Sequence, residues 1–508
     1  MQMTETSNLG LNDSVTTVHE RRKREVALAF VNALKLGASL LASWGIALFA
    51  RLYIPRFLGP ERFGMLNFAE AFATTAFVVL GLGVEQYVRK EIAVRPGHAG
   101  DFLGGVIALR VVLTVTIFVG MEAVLRATHR DATTRALVYI YAIAQFFIVG
   151  GNTSAGLLQA VGKINGMTIL SVAIKVVWAG CMFAAIFLRL ELWAFALTVA
   201  ASESLRALVL FWLARKELRF EMRVSIRPTA HVLIASLPFL VSGLASTIYD
   251  KIGTNLLGFM TSDREVGWYG AAYGLSSIAL MLAPVISWIL TPLFARSAAD
   301  SAAELSRVLC RSIELIMSLS IPISLMMILG ADLWVRLLFG AAFQPAAAAV
   351  RYLALAMVLM YLSIVAFNAL AVLNYTWRMS LVFVGGMLVS PTCTWLLIRH
   401  MSAEGTPGAG GTACAISTLV TEIAITGPLL LMLGKRAFDW HVVSATLKSL
   451  AAATFVVLLD AMLLRGLGHW RLLLEGLCYA GLVLGTNAVD WRSAVAMIRA
   501  AKVQQGQR

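Results

Sequence analysis

Charged residues are scarce in this chain: Asp, Glu, Lys and Arg make up 14% of its 508 residues, while hydrophobic residues make up 59%. The mean hydropathy is +0.80. Soluble globular domains carry roughly 25% charged residues, so this composition excludes that class. The sequence also lacks a polar segment long enough to form a soluble domain. We therefore expect the protein to work within the membrane.

The residue types that usually carry chemistry are sparse as well. The five cysteines lie far apart in apolar runs and the seven histidines are scattered, so neither a disulfide framework nor a metal site is indicated. The sequence has no P-loop, which argues against ATP as a direct fuel. The predicted connections on the side opposite the termini are all short, whereas a membrane glycosyltransferase, polymerase or ligase needs a large catalytic loop. We expect no cofactor, no metal and no enzymatic activity.

Long apolar runs dominate the chain. A helix needs roughly 20 apolar residues to cross about 30 Å of hydrocarbon, and about fourteen such runs are present, the first near 26–50 and the last near 468–490. The runs are continuous and do not alternate as lipid-facing strands do, so they predict helices. The predicted fold class is an all-α integral membrane protein with about fourteen transmembrane helices.

The distribution of cations predicts the orientation. An even number of spans places both termini on one side, and Lys and Arg are about twice as numerous there as on the opposite side. Both termini are therefore predicted to be cytoplasmic. Cytoplasmic loops beside anionic lipid account for most of the net charge of +14, so no nucleic-acid partner is implied.

An internal repeat divides the chain. The stretch "RFLGPERFG" and the stretch "TSDREVGWYG" share a pattern of charges, glycine and a following apolar run when Gly64 is placed on Gly267, an offset of 203 residues (267 − 64). The same offset relates the first six runs to the next six, which predicts two six-helix lobes. The predicted segments are a polar tail (1–25), an N-lobe (26–213), a linker (214–230), a C-lobe (231–434), a helix pair (435–490) and a second tail (491–508).

We further predict that "RFLGPERFG" is a hairpin turn in which Gly59 and Pro60 end the preceding run, and that Gly64 allows close helix packing.

Several motifs carry a family resemblance. The stretches "RFLGPERFGMLNFAEAFA", "GLGVEQYVRKEIA", "YDKIGTNLLGFMTSDREVGWYGAAYGL" and "LWVRLLFGAAFQPAAAAVRYLALA" occur in this order over nearly the whole chain. Together they resemble the polysaccharide-unit (Wzx-type) flippases of the MOP exporter superfamily. The resemblance implies two six-helix lobes around a central cavity, with a terminal helix pair.

The resemblance also implies an activity. Such flippases move polyprenyl-diphosphate-linked glycans from the cytoplasmic to the periplasmic leaflet of the bacterial inner membrane. Implied partners are membrane lipid, a polysaccharide polymerase and glycosyltransferases. A MATE-like, ion-coupled exporter of a small molecule is the alternative, although a carboxylate deep in the first helix is expected there and this chain has Lys35. A membrane scaffold is disfavoured because it would not need charges in the middle of its spans.

Cations in the middle of predicted spans are the candidate substrate-binding residues. An ionisable side chain at this depth costs at least ~2.5–3.5 kcal/mol, so it normally faces a cavity or a partner. A diphosphate needs such cations to replace its hydration. The candidates, all within the first seven predicted helices, are Lys35, Arg110, Lys175, Arg206 and Lys251.

Each of these cations also has a structural interpretation, which the sequence leaves open. Arg206 lies three residues after Glu203 on one helix face, and Lys251 has Asp250 or Glu70 as an available partner. Lys35 has no acidic residue within one turn. Asp250 and Glu203 are in turn candidates for coupling transport to a proton or a cation.

Overall fold

The computed structural model describes residues 45, 46, 48, 52–92, 95, 99–219, 223–437, 439–464 and 470–486. Within this part of the chain every regular element is helical, and twelve segments are long and apolar enough to cross a membrane. They correspond to the second to thirteenth predicted spans, so the predicted fold class is confirmed. The first predicted span lies almost entirely outside the described residues. The last is represented by a helix of 15 residues, Arg471–Gly485.

The helices are numbered in chain order. They are α1 (Leu52–Gly81), α2 (Val84–Glu91), α3 (Ala99–Ala127), α4 (Ala132–Ala160), α5 (Ile164–Phe187), α6 (Leu192–Leu218), α7 (Ile226–Met260), α8 (Asp263–Ala279), α9 (Ala283–Asp300), α10 (Ala302–Leu329), α11 (Ala331–Phe339), α12 (Ala346–Val372), α13 (Thr376–Met401), α14 (Ala409–Leu433), α15 (Trp440–Leu459) and α16 (Arg471–Gly485). A short 3₁₀ stretch, Leu280–Leu282, joins α8 and α9 into one span.

Side chains in the connections cap the N-termini of several helices. Asp131 accepts a hydrogen bond from the backbone N of Thr134 at 3.1 Å and caps α4, and Ser301 accepts one from the N of Glu304 at 3.0 Å and caps α10. Such caps satisfy backbone N–H groups that a helix leaves free at its first turn. Polar residues at the ends of the apolar runs therefore fix where the spans start.

The segment predicted to be a hairpin turn is more helical than expected. Helical residues run from Leu52 to Gly81, so α1 begins before the predicted start near residue 65. Gly59 alone interrupts it, with a φ of +74° directly before Pro60. A residue in this left-handed region cannot continue a right-handed helix, and proline is well suited to a first helical position, so the chain changes direction there. The turn is thus confined to one residue.

Helix α7 packs against both halves of the chain. Close to its start, a Cβ on Gly104 of α3 would lie 2.5 Å from the carbonyl oxygen of Arg223, and one on Gly83 would lie 2.3 Å from that of Ser236. Further along, the hydroxyl of Tyr249 donates to Glu422 of α14. Pro238 lies between these two regions and removes one helical hydrogen bond. The boundaries of the two lobes, 26–213 and 231–434, stay a prediction from the sequence.

The two opposite ends of the helices are called face A and face B. Face A is the end at which α1 begins and the connections α3–α4, α5–α6 and α7–α8 lie. Residues of all four regions line one cavity there, including Glu61, Thr133, Leu190 and Arg264. Face B is the opposite end, where α1 ends and α3 and α7 begin.

Candidate functional site

Lys175, Glu203 and Arg206 form one charged network in the middle of the spans. The Nε of Arg206 donates to Glu203 Oε2 at 2.6 Å, and Nζ of Lys175 on α5 donates to Glu203 Oε1 at 3.2 Å. Arg206 also donates to Oδ1 of Asn152 on α4 at 3.2 Å. Three helices thus contribute to the network, and two cations share one carboxylate.

The depth and charge of this network decide what it can bind. Lys175 is eleven residues beyond Ile164, which places it about 17 Å along α5 at 1.5 Å per residue, near the middle of a span. The two cations and one carboxylate leave a net charge of +1. Lys175 remains about one-third exposed, whereas Glu203 is almost fully buried. An anion reaching Lys175 would therefore meet a cation that Glu203 only partly neutralises.

Asp250 and Lys251 form a second charged group on α7. Nζ of Lys251 lies 2.8 Å from Oδ2 of Asp250 and 5.7 Å from the ring centroid of Tyr273. The hydroxyl of Tyr273 on α8 donates to the other oxygen of Asp250. Of the two predicted partners for Lys251, the structure thus pairs it with Asp250. Both side chains are partly exposed, which leaves them accessible to a ligand.

Arg110 has a different environment from the other candidates. It is buried, and its Nε donates to the carbonyl oxygen of Leu80 at 2.8 Å while Nη2 donates to Oγ1 of Thr153 at 3.0 Å. A cation that binds the last carbonyl groups of a helix satisfies them and complements the helix dipole. Arg110 therefore joins the end of α1 to α4, and its contacts favour the structural interpretation.

This assignment predicts a loss of stability. We expect Arg110→Leu to lower the free energy of unfolding by about 1–3 kcal/mol, because the buried carbonyl of Leu80 loses its donor. The matched control is Arg126→Leu on the same helix, whose side chain is mostly exposed. The thermal midpoints of the two variants in detergent provide the measurement. Equal midpoints would contradict the structural role of Arg110.

The structure therefore places the described candidates in three groups: Lys175 with Glu203 and Arg206, Asp250 with Lys251, and Arg110 at the end of α1. Lys35 lies outside the described residues. Sequence reasoning gave no role to Glu422, which is buried on α14 and accepts a hydrogen bond from Tyr249. Only the three-dimensional contact between α7 and α14 reveals this pair.

The two repeats meet at face A through their aligned glycines. A Cβ on Gly64 would lie 1.7 Å from the carbonyl oxygen of Asp263, and a Cβ on Gly267 would lie 1.8 Å from that of Pro60. Both approaches are far closer than a side chain allows, and both obstacles are backbone atoms. Helices α1 and α8 can pack this closely only because both positions are glycine.

The contact has approximate two-fold symmetry. Arg264 donates to Glu61 at 3.4 Å, and the two residues are separated by 203 positions, the offset of the repeat. A Cβ on Gly270 would lie 2.8 Å from Nδ2 of Asn67, its repeat equivalent. A residue that contacts the equivalent residue of the other repeat lies close to the two-fold axis that relates the repeats. The axis between the repeats therefore passes between α1 and α8 at face A.

Arg130, from the α3–α4 connection, reinforces this contact. Its Nη1 donates to Oδ1 of Asp263 at 3.0 Å. Its guanidinium carbon lies 4.4 Å from the ring centroid of Phe68 and 5.9 Å from that of Phe259. The ion pair is largely shielded from solvent and joins the two halves of the chain. The sequence gave no signal for Arg130, because none of its partners is close to it in the chain. Asp263 and Phe259 are more than 100 residues away, and Phe68 belongs to α1.

Solved structures of membrane transporters share this fold. A structure titled "Lipid II flippase MurJ, inward closed conformation" matches with a TM-score of 0.66 at 13% identity, over 92% of this chain and 100% of that one. An inward-facing multidrug resistance MATE family transporter of the MOP superfamily matches with a TM-score of 0.61 at 15% identity, over 77% and 94%. An outward-facing MATE structure gives 0.52 at 14% identity, over 80% and 96%. At these identities the likeness concerns the fold.

Sequence comparisons identify the family. Among curated proteins, none has significant sequence similarity to this chain. The family model described as "Polysaccharide biosynthesis protein" matches residues 30–298, more than half of the chain. The predicted resemblance to a polysaccharide family is thus confirmed at the level of this family model. The chain is a multi-pass membrane protein and belongs to the polysaccharide biosynthesis protein family.

Proposed function

We propose that the protein is a flippase for oligosaccharides linked through diphosphate to a polyprenol, carrying them from the cytoplasmic to the periplasmic leaflet of a bacterial inner membrane. The network of Lys175, Glu203 and Arg206 is the observation that supports this best, because it keeps a net positive charge at the depth where a diphosphate would lose its water. The similarity in fold to a lipid II flippase gives independent support. The glycan would serve surface polysaccharide synthesis, with a polymerase and glycosyltransferases as partners.

The mechanism follows from the contact at face A. With both termini in the cytoplasm, face A is periplasmic, and the packing of α1 against α8 closes the path on that side. The head group enters from the cytoplasm while the polyprenyl chain remains in lipid. The lobes then separate at face A and release the sugar outward. Because α7 contacts both halves of the chain, bending near Pro238 would accompany this movement.

The charge of the head group gives the movement a direction. In a cell with a negative interior, the membrane potential contributes about 2.3 kcal/mol per charge per 100 mV to outward movement of an anion. Glu203 and Asp250 are the candidate carriers for a proton or cation antiport that would add to this, and each is paired with a cation. A MATE-like exporter of a small molecule is the alternative, which the MATE match in fold supports.

The distribution of the lipid-linked glycan tests the proposal. Cells depleted of the protein are converted to spheroplasts and treated with a membrane-impermeant glycosidase. Polyprenyl-diphosphate-linked oligosaccharide should accumulate in a protected form, and restoring the protein should make it accessible. If depleted cells expose the glycan normally, the flippase proposal is wrong and export of a small molecule becomes the better explanation.

Replacement of Lys251 tests whether this residue binds the diphosphate. We expect Lys251→Met to slow flipping by about tenfold, because a charge-assisted contact with the diphosphate is lost. The control is Lys216→Met, since Lys216 also lies over an aromatic ring, that of Trp212, but is exposed near the end of α6. The rate is measured with the purified protein in proteoliposomes, using a fluorescent polyprenyl-diphosphate glycan. Equal rates for both variants would exclude Lys251 from binding.

A further inference from the structure

A cavity at face A lies apart from the charged networks in the middle of the spans. It has a volume of about 960 Å³ and is lined by the start of α1, the α5–α6 connection and the start of α8. This volume lies at the upper end of the ~300–1,000 Å³ of small-molecule sites, and a short oligosaccharide needs such a space. The cavity is open, so a ligand could enter without movement of the lobes.

The side chains around the cavity have the chemistry that sugars require. Guanidinium groups of Arg62, Arg189 and Arg264 supply hydrogen-bond donors, and the carboxylates of Glu61 and Glu191 supply acceptors. Sugar hydroxyl groups act as both donors and acceptors, so they can use this mixed set. A lipid-facing surface at the same place would be apolar.

Trp193 adds an aromatic surface to the cavity. It lies in the first turn of α6, lines the cavity and is half exposed. Its indole N–H donates to Oε2 of Glu191 at 3.0 Å, which holds the ring in one orientation. The C–H-bearing face of a sugar ring packs well on an aromatic face, and a pre-oriented ring loses little conformational entropy on binding. Trp268 completes the wall, with its indole N–H bound to the carbonyl of Ala342 at 2.8 Å.

We propose that this cavity is a glycan-binding site, distinct from the cationic networks, that holds the sugar portion of the substrate on the periplasmic side. The proposal rests on the proposed function, since it takes face A to be periplasmic and the cargo to be an oligosaccharide. The networks bind the diphosphate, and the cavity binds sugar rings without needing the phosphate. A released head group is thus retained at face A before a later enzyme uses it.

Binding of lipid-free sugar tests the proposal directly. The full chain in lipid nanodiscs is mixed with oligosaccharides released by partial acid hydrolysis from the surface polysaccharide of the producing cells. Saturation-transfer NMR should show binding to the wild type, and Trp193→Ala should weaken it at least tenfold. Trp212→Ala is the matched control, because Trp212 is an exposed tryptophan of the same helix that does not line the cavity. The thermal midpoints of both variants verify that they are folded.

The outcomes separate this proposal from the flippase proposal. Absence of saturation transfer to the wild type, or equal affinity of Trp193→Ala and wild type, would overturn the glycan site. Photo-crosslinking from position 190 in cells to a polypeptide, and not to a glycan, would show that the cavity is a protein-docking surface. If the wild type flips lipid-linked glycan in proteoliposomes but binds no free sugar, only the cavity assignment fails. If it binds free sugar but depleted cells still expose their glycan, only the flippase assignment fails.

Discussion

Replacing Gly64 with alanine is expected to open the protein at face A. A Cβ at this position would lie 1.7 Å from the carbonyl oxygen of Asp263 and 2.9 Å from the backbone nitrogen of Gly267. Neither backbone atom can move aside by a rotamer change, so α1 and α8 have to separate. The population should shift to a conformation with a longer distance between the lobes, because interfaces of this kind switch between discrete arrangements.

Pulsed electron resonance between spin labels provides the measurement. Suitable label positions are Leu188 and Thr406, which are exposed near face A in the two halves of the chain, after the native cysteines have been replaced. Gly267→Ala should produce the same change, since its Cβ would lie 1.8 Å from the oxygen of Pro60. Gly274→Ala on the same helix is the control, because nothing lies within 4 Å of its Cβ position. Unchanged distances in both folded variants would rule out this contact as the closure of face A.

Glu203→Gln is expected to cause the largest loss of stability among the charge substitutions. The carboxylate binds both Lys175 and Arg206, so its neutralisation leaves two cations within the spans without an anion. Removing one partner of a buried ion pair typically costs about 3–5 kcal/mol, because the remaining charge is left uncompensated. The thermal midpoint of the detergent-solubilised protein should fall by several degrees. Adding Lys175→Met should recover part of the loss, since one unpaired cation is then removed.

A surface pair with the same spacing is the control for this experiment. Glu304 binds Arg307 at 2.5 Å, also three residues apart on one helix, but the Glu304 side chain is 34% exposed and that of Arg307 60%, against 10% for Glu203. Exposed helical pairs contribute about 0.3–0.5 kcal/mol, so Glu304→Gln should change the midpoint little. If the two variants are equally stable, the charges of the first network are solvated and do not depend on Glu203.

The fold was largely predictable because the membrane imposes a simple rule on the sequence. A span needs a continuous apolar run, and the run predicted near 101–124, for instance, corresponds to Ala99–Ala127. The helical start of α1 was missed because Pro55, Gly59 and Pro60 indicate a turn, whereas only Gly59 leaves the helical conformation. The aligned position of Gly64 and Gly267 predicted the repeat, and the structure brings these residues together.

The candidate site was predictable only in its local part. Glu203 and Arg206 are one turn apart, so the sequence identified them as a pair. The contact of Lys175 with Glu203 crosses between helices and depends on helix rotation, which a uniformly apolar run does not define. For the same reason the sequence could not assign Arg110 to the end of α1. The cavity at face A combines residues from five distant segments, and no local pattern contains it.

The pairing of Glu61 with Arg264 depends on both repeats lying in one chain, because two identical copies could not place different residues at equivalent positions. In a homodimer of a single lobe, a residue on the symmetry axis meets an identical residue, so a charge there faces its own sign. One chain that contains both copies can vary them independently, and here it places opposite charges across the axis. Met65 and Trp268, equivalent through the offset of 203 residues, likewise differ in size and chemistry although both line the cavity at face A. Duplication thus preserves the symmetric packing of α1 and α8 while allowing an asymmetric ligand, such as a sugar chain with two different ends, to be held in one direction.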